Sequence, residues 1–422
     1  MREDGQPSEG FEGWGALPKD ILGNVASHLC LISLKNARLV NQQWCAGVST
    51  AISKANVKVA DSETIVGSFS DAMDILRRKL IGLECLRVTG LMTPADLRQA
   101  ILGFNHLIEL DLRGTGVWGK GMASILPDIT QLRRLNLSST NVGDSLVDEL
   151  RVVPGLTSLD LGYTRVTNAG VNHLGKLSTL EELSLFNTQV RGDGVSGLRV
   201  LPRLTCLNLS ETFVSNKGLE GLVELTKLRR LELGWARITN HGLCSIVSLQ
   251  NLEALYLHGT SIGDDGIQFL ACLTRLTELN LSWTRLTNNG LCYIRSLTEM
   301  RSLTLGGTWI AGDCMVDLTA LKNLRILKVC STAVNSASLP WLGRMWGLEE
   351  LDLGSTKISD VYMENLCRLS RLVSLDVSYT RVSFGGICGL SQLPNLNHLN
   401  VKSTKVDPAR MAVFHGGVRV ET

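Results

Sequence analysis

A period of 24 residues constrains this chain more than any other feature of its sequence. The string L-x-x-L-x-L-x-x-T-x-V occurs as Leu156, Leu159, Leu161, Thr164 and Val166, and again as Leu180, Leu183, Leu185, Thr188 and Val190. The landmark position falls at Thr115, Thr140, Thr164, Thr188, Thr212, Ala236, Thr260, Thr284, Thr308, Thr332, Thr356, Thr380 and Thr404, with one gap of 25 and eleven of 24. A looser copy, Leu83, Leu86 and Val88, lies one period earlier. Self-similarity at such a period marks a stack of small units, each too small to bury its apolar face alone. The 422 residues therefore imply an array instead of the two or more domains that this length would ordinarily predict.

The slots follow from strand geometry. Alternation in L-x-L points both leucines to one side of a short strand, and the intervening residues point to the other. Threonine at the landmark is β-branched, which suits a strand end, and its hydroxyl is placed to satisfy backbone groups of the following turn. Ala236 removes one such hydroxyl. Most repeats then carry glycine six residues past the landmark, at Gly170, Gly194, Gly218, Gly242, Gly266 and Gly290, followed by apolar residues at spacing three such as Leu219, Leu222, Leu225 and Leu228. That spacing predicts a short helix or 3₁₀ segment. The pattern resembles the leucine-rich-repeat family, with threonine where asparagine is usual. The resemblance implies an α/β solenoid of 24-residue repeats with a parallel sheet on its concave face, over residues 83–406, and the tail 407–422, with Met411 and Phe414, is expected to cap it.

Residues 17–48 break the period. Pro18 suits a first helical position, Asp20 complements the positive helix end, and Ile21, Leu22, Val25 and Leu29 share one face. Ser33 is placed to cap a second helix carrying Leu34, Ala37 and Leu39. Leu17-Pro18, Asp20-Ile21-Leu22, Val25, Leu29, Ser33-Leu34, Arg38, Leu39-Val40 and Trp44 stand in the order and spacing of an F-box, which residues 15–57 resemble. The resemblance implies a small all-helical module that docks on the adaptor subunit of SCF-type cullin ubiquitin ligases. Leu17, Pro18, Ile21, Leu22, Val25, Leu29, Leu34, Val40 and Trp44 are the adaptor-binding residues it implies, and the adaptor and, through it, a cullin the partners. Residues 1–14 are expected to be a disordered leader and 58–82 a connecting and capping segment.

Composition narrows the function. The formal net charge is +2 and the one basic cluster is Arg77-Arg78-Lys79, so no footprint for a phosphate backbone stands out and nucleic acid is not expected as a partner. The polar N-terminus lacks an apolar core segment and no long apolar run occurs, which predicts a cytoplasmic or nuclear protein without a membrane partner. Eleven cysteines without a C-x-x-C pair read as reduced thiols, with Cys244, Cys292 and Cys388, each eight residues past a landmark, expected as core filler. Scattered histidines and the lack of a base beside any nucleophile predict neither metal, cofactor nor catalysis. Gly192 to Gly197 spells G-x-G-x-x-G and Gly170 to Lys176 imitates a phosphate loop. The repeat leaves no room for a βαβ crossover, and Leu177 stands where the second motif needs Ser or Thr. Asn136, Asn208 and Asn280 open formal glycosylation acceptors that fall within strands and are expected to be unmodified.

Outward-facing positions of repeats three to eight carry Tyr163, Phe186, Trp235, Tyr256, His258 and Trp283, in a chain only 5% aromatic. Aromatic residues dominate interface hot spots. Four repeats place an aromatic two residues before an arginine, as Tyr163/Arg165, Trp235/Arg237, Trp283/Arg285 and Tyr379/Arg381, where guanidinium and ring could stack. Asp111, Asp160, Glu182, Glu232, Asp352 and Asp376 put acid beside them, which points to a partner both apolar and charged. The expected function is that of a non-catalytic substrate receptor of an SCF-type ubiquitin ligase, holding a target protein on the concave face. A ligase-independent scaffold or sensor, or a pathogen effector borrowing a host ligase, are the alternatives.

Overall fold

A computed structural model of the protein describes residues 54–58, 83–89, 94–104, 106–116, 119–312, 314–414 and 417–422. The implied adaptor-binding residues, from Leu17 to Trp44, lie outside the described residues, as do the leader and nearly all of the connecting segment. The chain divides into two compact units, Met1–Gln189 and Val190–Thr422.

In the first unit the described strands are Lys54–Lys58, Cys85–Thr89, Glu109–Asp111, Arg134–Asn136, Ser158–Asp160 and Glu182–Ser184. They pair in chain order, all parallel. The earliest of them straddles the 57–58 boundary drawn from sequence. In the second unit ten strands, from Cys206–Asn208 to Arg419–Glu421, pair in the same way. The register follows the period: Leu207 faces Leu231, Leu231 faces Leu255 and Leu255 faces Leu279. At the end Leu399 faces Val420, so the tail adds a strand, and Met411 and Phe414 are buried behind it.

Within a repeat the apolar slots form one column of core. Leu252, Leu255, Leu257, Ile262, Ile267 and Leu270 are all fully buried, and each such side chain contributes about 1.5–3 kcal/mol of burial free energy. The segment returning behind the sheet is a short α-helix in some repeats, as at Asn240–Ile246, and 3₁₀ in others, as at Gly192–Val200. An Asn or Asp four residues past the landmark stitches neighbouring repeats together. Asn216 Oδ1 accepts from the Thr239 amide at 2.9 Å, Asn240 Oδ1 from Gly263 at 2.7 Å and Asp264 Oδ1 from Thr287 at 2.8 Å. The recurring glycine makes room for this contact, since a Cβ on Gly242 would lie 2.5 Å from Asn216 Oδ1 and one on Gly290 2.6 Å from Asp264 Oδ1.

The three period-matched cysteines are not core filler. Cys244, Cys292 and Cys388 are exposed. In Asn240–Ile246 the buried residues are Gly242, Leu243 and Ile246, which turns the next slot, Cys244, outward. Its thiol donates to the carbonyl three residues earlier, His241 O, at 2.9 Å, and Cys292 repeats this on Asn289 O.

Candidate partner-binding surface

The turn after each strand decides which side chains reach solvent. At the landmark, the threonine hydroxyl donates to the carbonyl three residues earlier, as in Thr284 to Leu281 O at 2.7 Å and Thr260 to Leu257 O at 2.6 Å. The residue before the landmark donates its amide to the next repeat: Trp235 N–H reaches His258 O at 2.7 Å and Trp283 N–H reaches Gly306 O at 2.8 Å. Continuing the ladder there while the chain folds back on the carbonyl before it demands a left-handed backbone. Every one of the thirteen repeats has positive φ at this position, from Gly114 and Ser139 through Tyr163, Trp235, Gly259, Trp283 and Gly307 to Tyr379 and Ser403. It is the third residue of a four-residue turn, where glycine or asparagine is favoured.

Against that preference, Tyr163, Trp235, Trp283 and Tyr379 hold φ between 53 and 58°. A non-glycine residue in this region costs on the order of 1 kcal/mol or more. Their side chains are not sheltered in exchange, for Trp235 is 55% and Trp283 61% exposed. Each indole covers a glycine in the next repeat. A Cβ on Gly259 would lie 2.4 Å from Cδ2 of Trp235, and one on Gly307 2.5 Å from Cδ2 of Trp283. The two tryptophans and the two glycines therefore alternate along consecutive repeats, each indole leaving its other face open.

In the first unit, Tyr163 packs edge-on against Phe186, with ring centroids 5.0 Å apart and 71° between planes, and Arg165 is exposed beyond them. The second unit carries the remaining candidates. On its strand face, Tyr256 donates its hydroxyl to Glu278, while the Arg230 guanidinium lies 4.5 Å from the Tyr256 ring centroid and donates to Glu232 at 2.7 Å. Asn208 donates to the other Glu232 oxygen at 2.9 Å. Burial, reinforced by the Glu278 carboxylate, pushes the Tyr256 phenol up to about 12. His258 lies over Gly234, with Nδ1 buried and without a hydrogen-bond partner among the described residues. Burial lowers its pKa, which favours the neutral ring.

The arginine after each aromatic does not stack on it. Among the described residues, Arg237 lies 4.9 Å from the ring of Phe213, one repeat back, and Arg191 lies 5.1 Å from the same ring. The reason is the left-handed turn, which sends the aromatic toward the following repeat and leaves the arginine beside the preceding one. Several of the acids are committed as well. Asp111, Asp160, Asp352 and Asp376 accept from the amide two residues on, at 2.8–3.1 Å, closing the turn. Asn136, Asn208 and Asn280 do the same at 2.9–3.0 Å. Sequence reasoning missed Arg230 and Glu278, whose pairing crosses repeats, and also Phe213 and Trp309. Both aromatics occupy the column immediately after the landmark, that of Arg237 and Arg285, so a search by column would have found them.

Among the described residues no helix is long and apolar enough to cross a membrane and no group of His, Cys, Asp and Glu could hold a metal. The leucine-rich-repeat family model matches residues 248–271 and 273–294. No curated protein matches the chain in sequence. Among solved structures, an internalin from Listeria monocytogenes is similar over 72% of this chain and 88% of its own, at 23% identity and a TM-score of 0.58. A leucine-rich-repeat protein from Leptospira interrogans is similar over 90% and 92%, at 17% identity and a TM-score of 0.54. Identities this low speak to the fold alone. The fold is that of leucine-rich-repeat proteins, and two of the 24-residue repeats match the family's model.

Proposed function

We propose that this chain is a non-catalytic recognition protein that holds a protein partner on the second unit, through Trp235, Arg237, Tyr256, His258, Trp283 and Arg285. We further propose that residues 15–57 tether it to the adaptor of an SCF-type cullin ubiquitin ligase, as that ligase's substrate receptor. The observation carrying the first part is the pair of tryptophans held in left-handed backbone and largely exposed. The turn's ladder bonds hold the backbone there, but the outer indole faces gain nothing from the described residues, and a partner closing over them would bury them. Binding energy at such surfaces concentrates in a few aromatic and arginine side chains. The tether rests on the Leu17 to Trp44 pattern.

The two parts separate experimentally. Purified adaptor is expected to co-elute with the wild-type chain and not with Leu17→Ala plus Pro18→Ala, the repeat array remaining folded by circular dichroism. Failure of the wild type to retain adaptor would remove the ligase role and leave a protein-binding scaffold.

A further inference from the structure

The turn residues of the second unit form a ridge of their own, distinct in charge from the strand face. In every repeat of the unit but the last, where Thr404 and Val406 are half-buried, the landmark and the residue two beyond it are buried, so the residues on either side of the landmark point to solvent together. In chain order the column after the landmark reads Phe213, Arg237, Ser261, Arg285, Trp309, Ala333, Lys357, Arg381 and Lys405. It holds five cations and no acid. In the column before it, the one acid of the unit is Glu211. Asp264 and Asp360, the nearest acids beyond, are spent on Thr287 and Ser383.

On the strand side Arg230 is neutralised by Glu232 at 2.7 Å and Arg325 by Glu349 at 3.6 Å. The ridge cations are not. Among the described residues, none of Arg237, Arg285, Lys357, Arg381 and Lys405 forms an ion pair. Unpaired cations thus alternate with open aromatic rings: Trp235 and Arg237, then Trp283 and Arg285, then Trp309, which is 65% exposed.

Spacing selects what fits. Trp235 and Trp283 are two repeats apart, about 9.6 Å at the usual separation of neighbouring strands. A polyproline II segment advances about 9.3 Å in three residues and presents every third side chain on one side. Aromatic-lined surfaces take such segments because their backbone is already extended and loses little freedom on docking. Carboxylates between the apolar contacts would then face Arg237 and Arg285.

From this juxtaposition of open indoles and unpaired cations at one spacing, we infer that the ridge binds an acidic, extended segment of the partner, with proline or another apolar residue at every third position. This deepens the partner-binding reading of the second unit and rests on it. The acidic segment lies along the ridge and leaves the strand face, with Tyr256 and His258, to the rest of the partner. A nucleic-acid single strand would also offer stacking faces and negative charge. It is disfavoured because the cations recur only every second repeat in the aromatic region and so do not track a continuous line of phosphates.

The test is fluorescence anisotropy with the full chain. The probes are a fluorescein-labelled peptide of repeating Pro-Asp-Glu triplets, its Pro-Lys-Lys counterpart and a labelled oligothymidylate. The acidic peptide is expected to bind with an affinity that falls as salt rises, and the basic one not to bind. Arg237→Glu with Arg285→Glu should weaken the acidic peptide more than tenfold, and Trp235→Gly with Trp283→Gly should do the same. Glycine suits the left-handed turn, so that second pair also guards against a folding defect. Absence of acidic-peptide binding, indifference to either pair, or preferential capture of the oligothymidylate overturns the inference. Adaptor co-elution is read independently, and Trp235→Ala with Trp283→Ala can still be scored on an intact partner, so this inference can fail while the recognition role stands.

Discussion

At Ala236 the column of landmark hydroxyls is interrupted, and the Leu233 carbonyl receives only the Ala236 amide, at 3.1 Å. Ala236→Thr is therefore expected to stabilise the protein by about 0.5–1 kcal/mol, and Thr284→Ala to cost about 1 kcal/mol, both read as shifts in a denaturant midpoint at unchanged slope. The left-handed column gives a sharper test. Gly259→Ala meets both a costly φ of +69° and the Trp235 ring, whereas in a Trp235→Gly background only the first remains. The double-mutant cycle should show that the cost of Gly259→Ala falls by about 1 kcal/mol or more once the indole is gone. Additive effects would mean the indole does not sit on that glycine. Tyr256 offers a pH signature: its neutral form is favoured in the fold, so its contribution is intact below pH 10 and lost as pH rises through about 12. Phenolate absorbance of wild type minus Tyr256→Phe should place that step well above the ordinary value of 10.0. The threonine role was legible from β-branching and position. The direction of the aromatics was not, because residue type alone does not report φ, although Gly114, Gly259 and Gly307 in the same column carried that signal.

At the scale of the element, the periodicity specified strand, turn and return segment, and register followed because each repeat's strand carries its inward leucine in the same place. What it left open was which slot of the return segment faces out. Spacing of three fits both a core stripe and its neighbour, and Cys244 shows the cost of choosing by composition: a residue type usually buried stands here on the exposed side. The inter-repeat contact of Asp264 was also illegible, since it joins residues 23 apart whose types are common in any turn. Its energetics are testable. Asp264→Ala leaves the Thr287 amide without its acceptor and is expected to cost about 1–2 kcal/mol, while Asp264→Asn should cost less than half of that. Asn216 and Asn240 already perform this task in neighbouring repeats. Equal losses for both variants would show that the carboxylate's charge matters more than its acceptor geometry.

At the scale of the molecule, nearest-neighbour stacking makes length a free variable while register is not. Removing residues 357–380 joins Thr356 to Arg381 and restores an intact repeat sequence. The product is expected to melt cooperatively with a modestly lower midpoint, whereas removal of half that segment should abolish cooperative melting. The array was legible because its information is repeated along most of the chain. The proposed tether is written once, in about a tenth of it, and its Leu17 to Trp44 pattern lies outside the described residues, so only the adaptor experiment bears on it. The left-handed turn has a consequence at this scale too. Since the same backbone site accepts Gly at 259 and 307 and Trp at 235 and 283, its backbone conformation does not depend on which side chain it carries. Transplanting an indole to another repeat, with glycine at the same site of the repeat after it, would slide a contact along the ridge. Partner choice could then drift, or be rewritten, without the fold having to change.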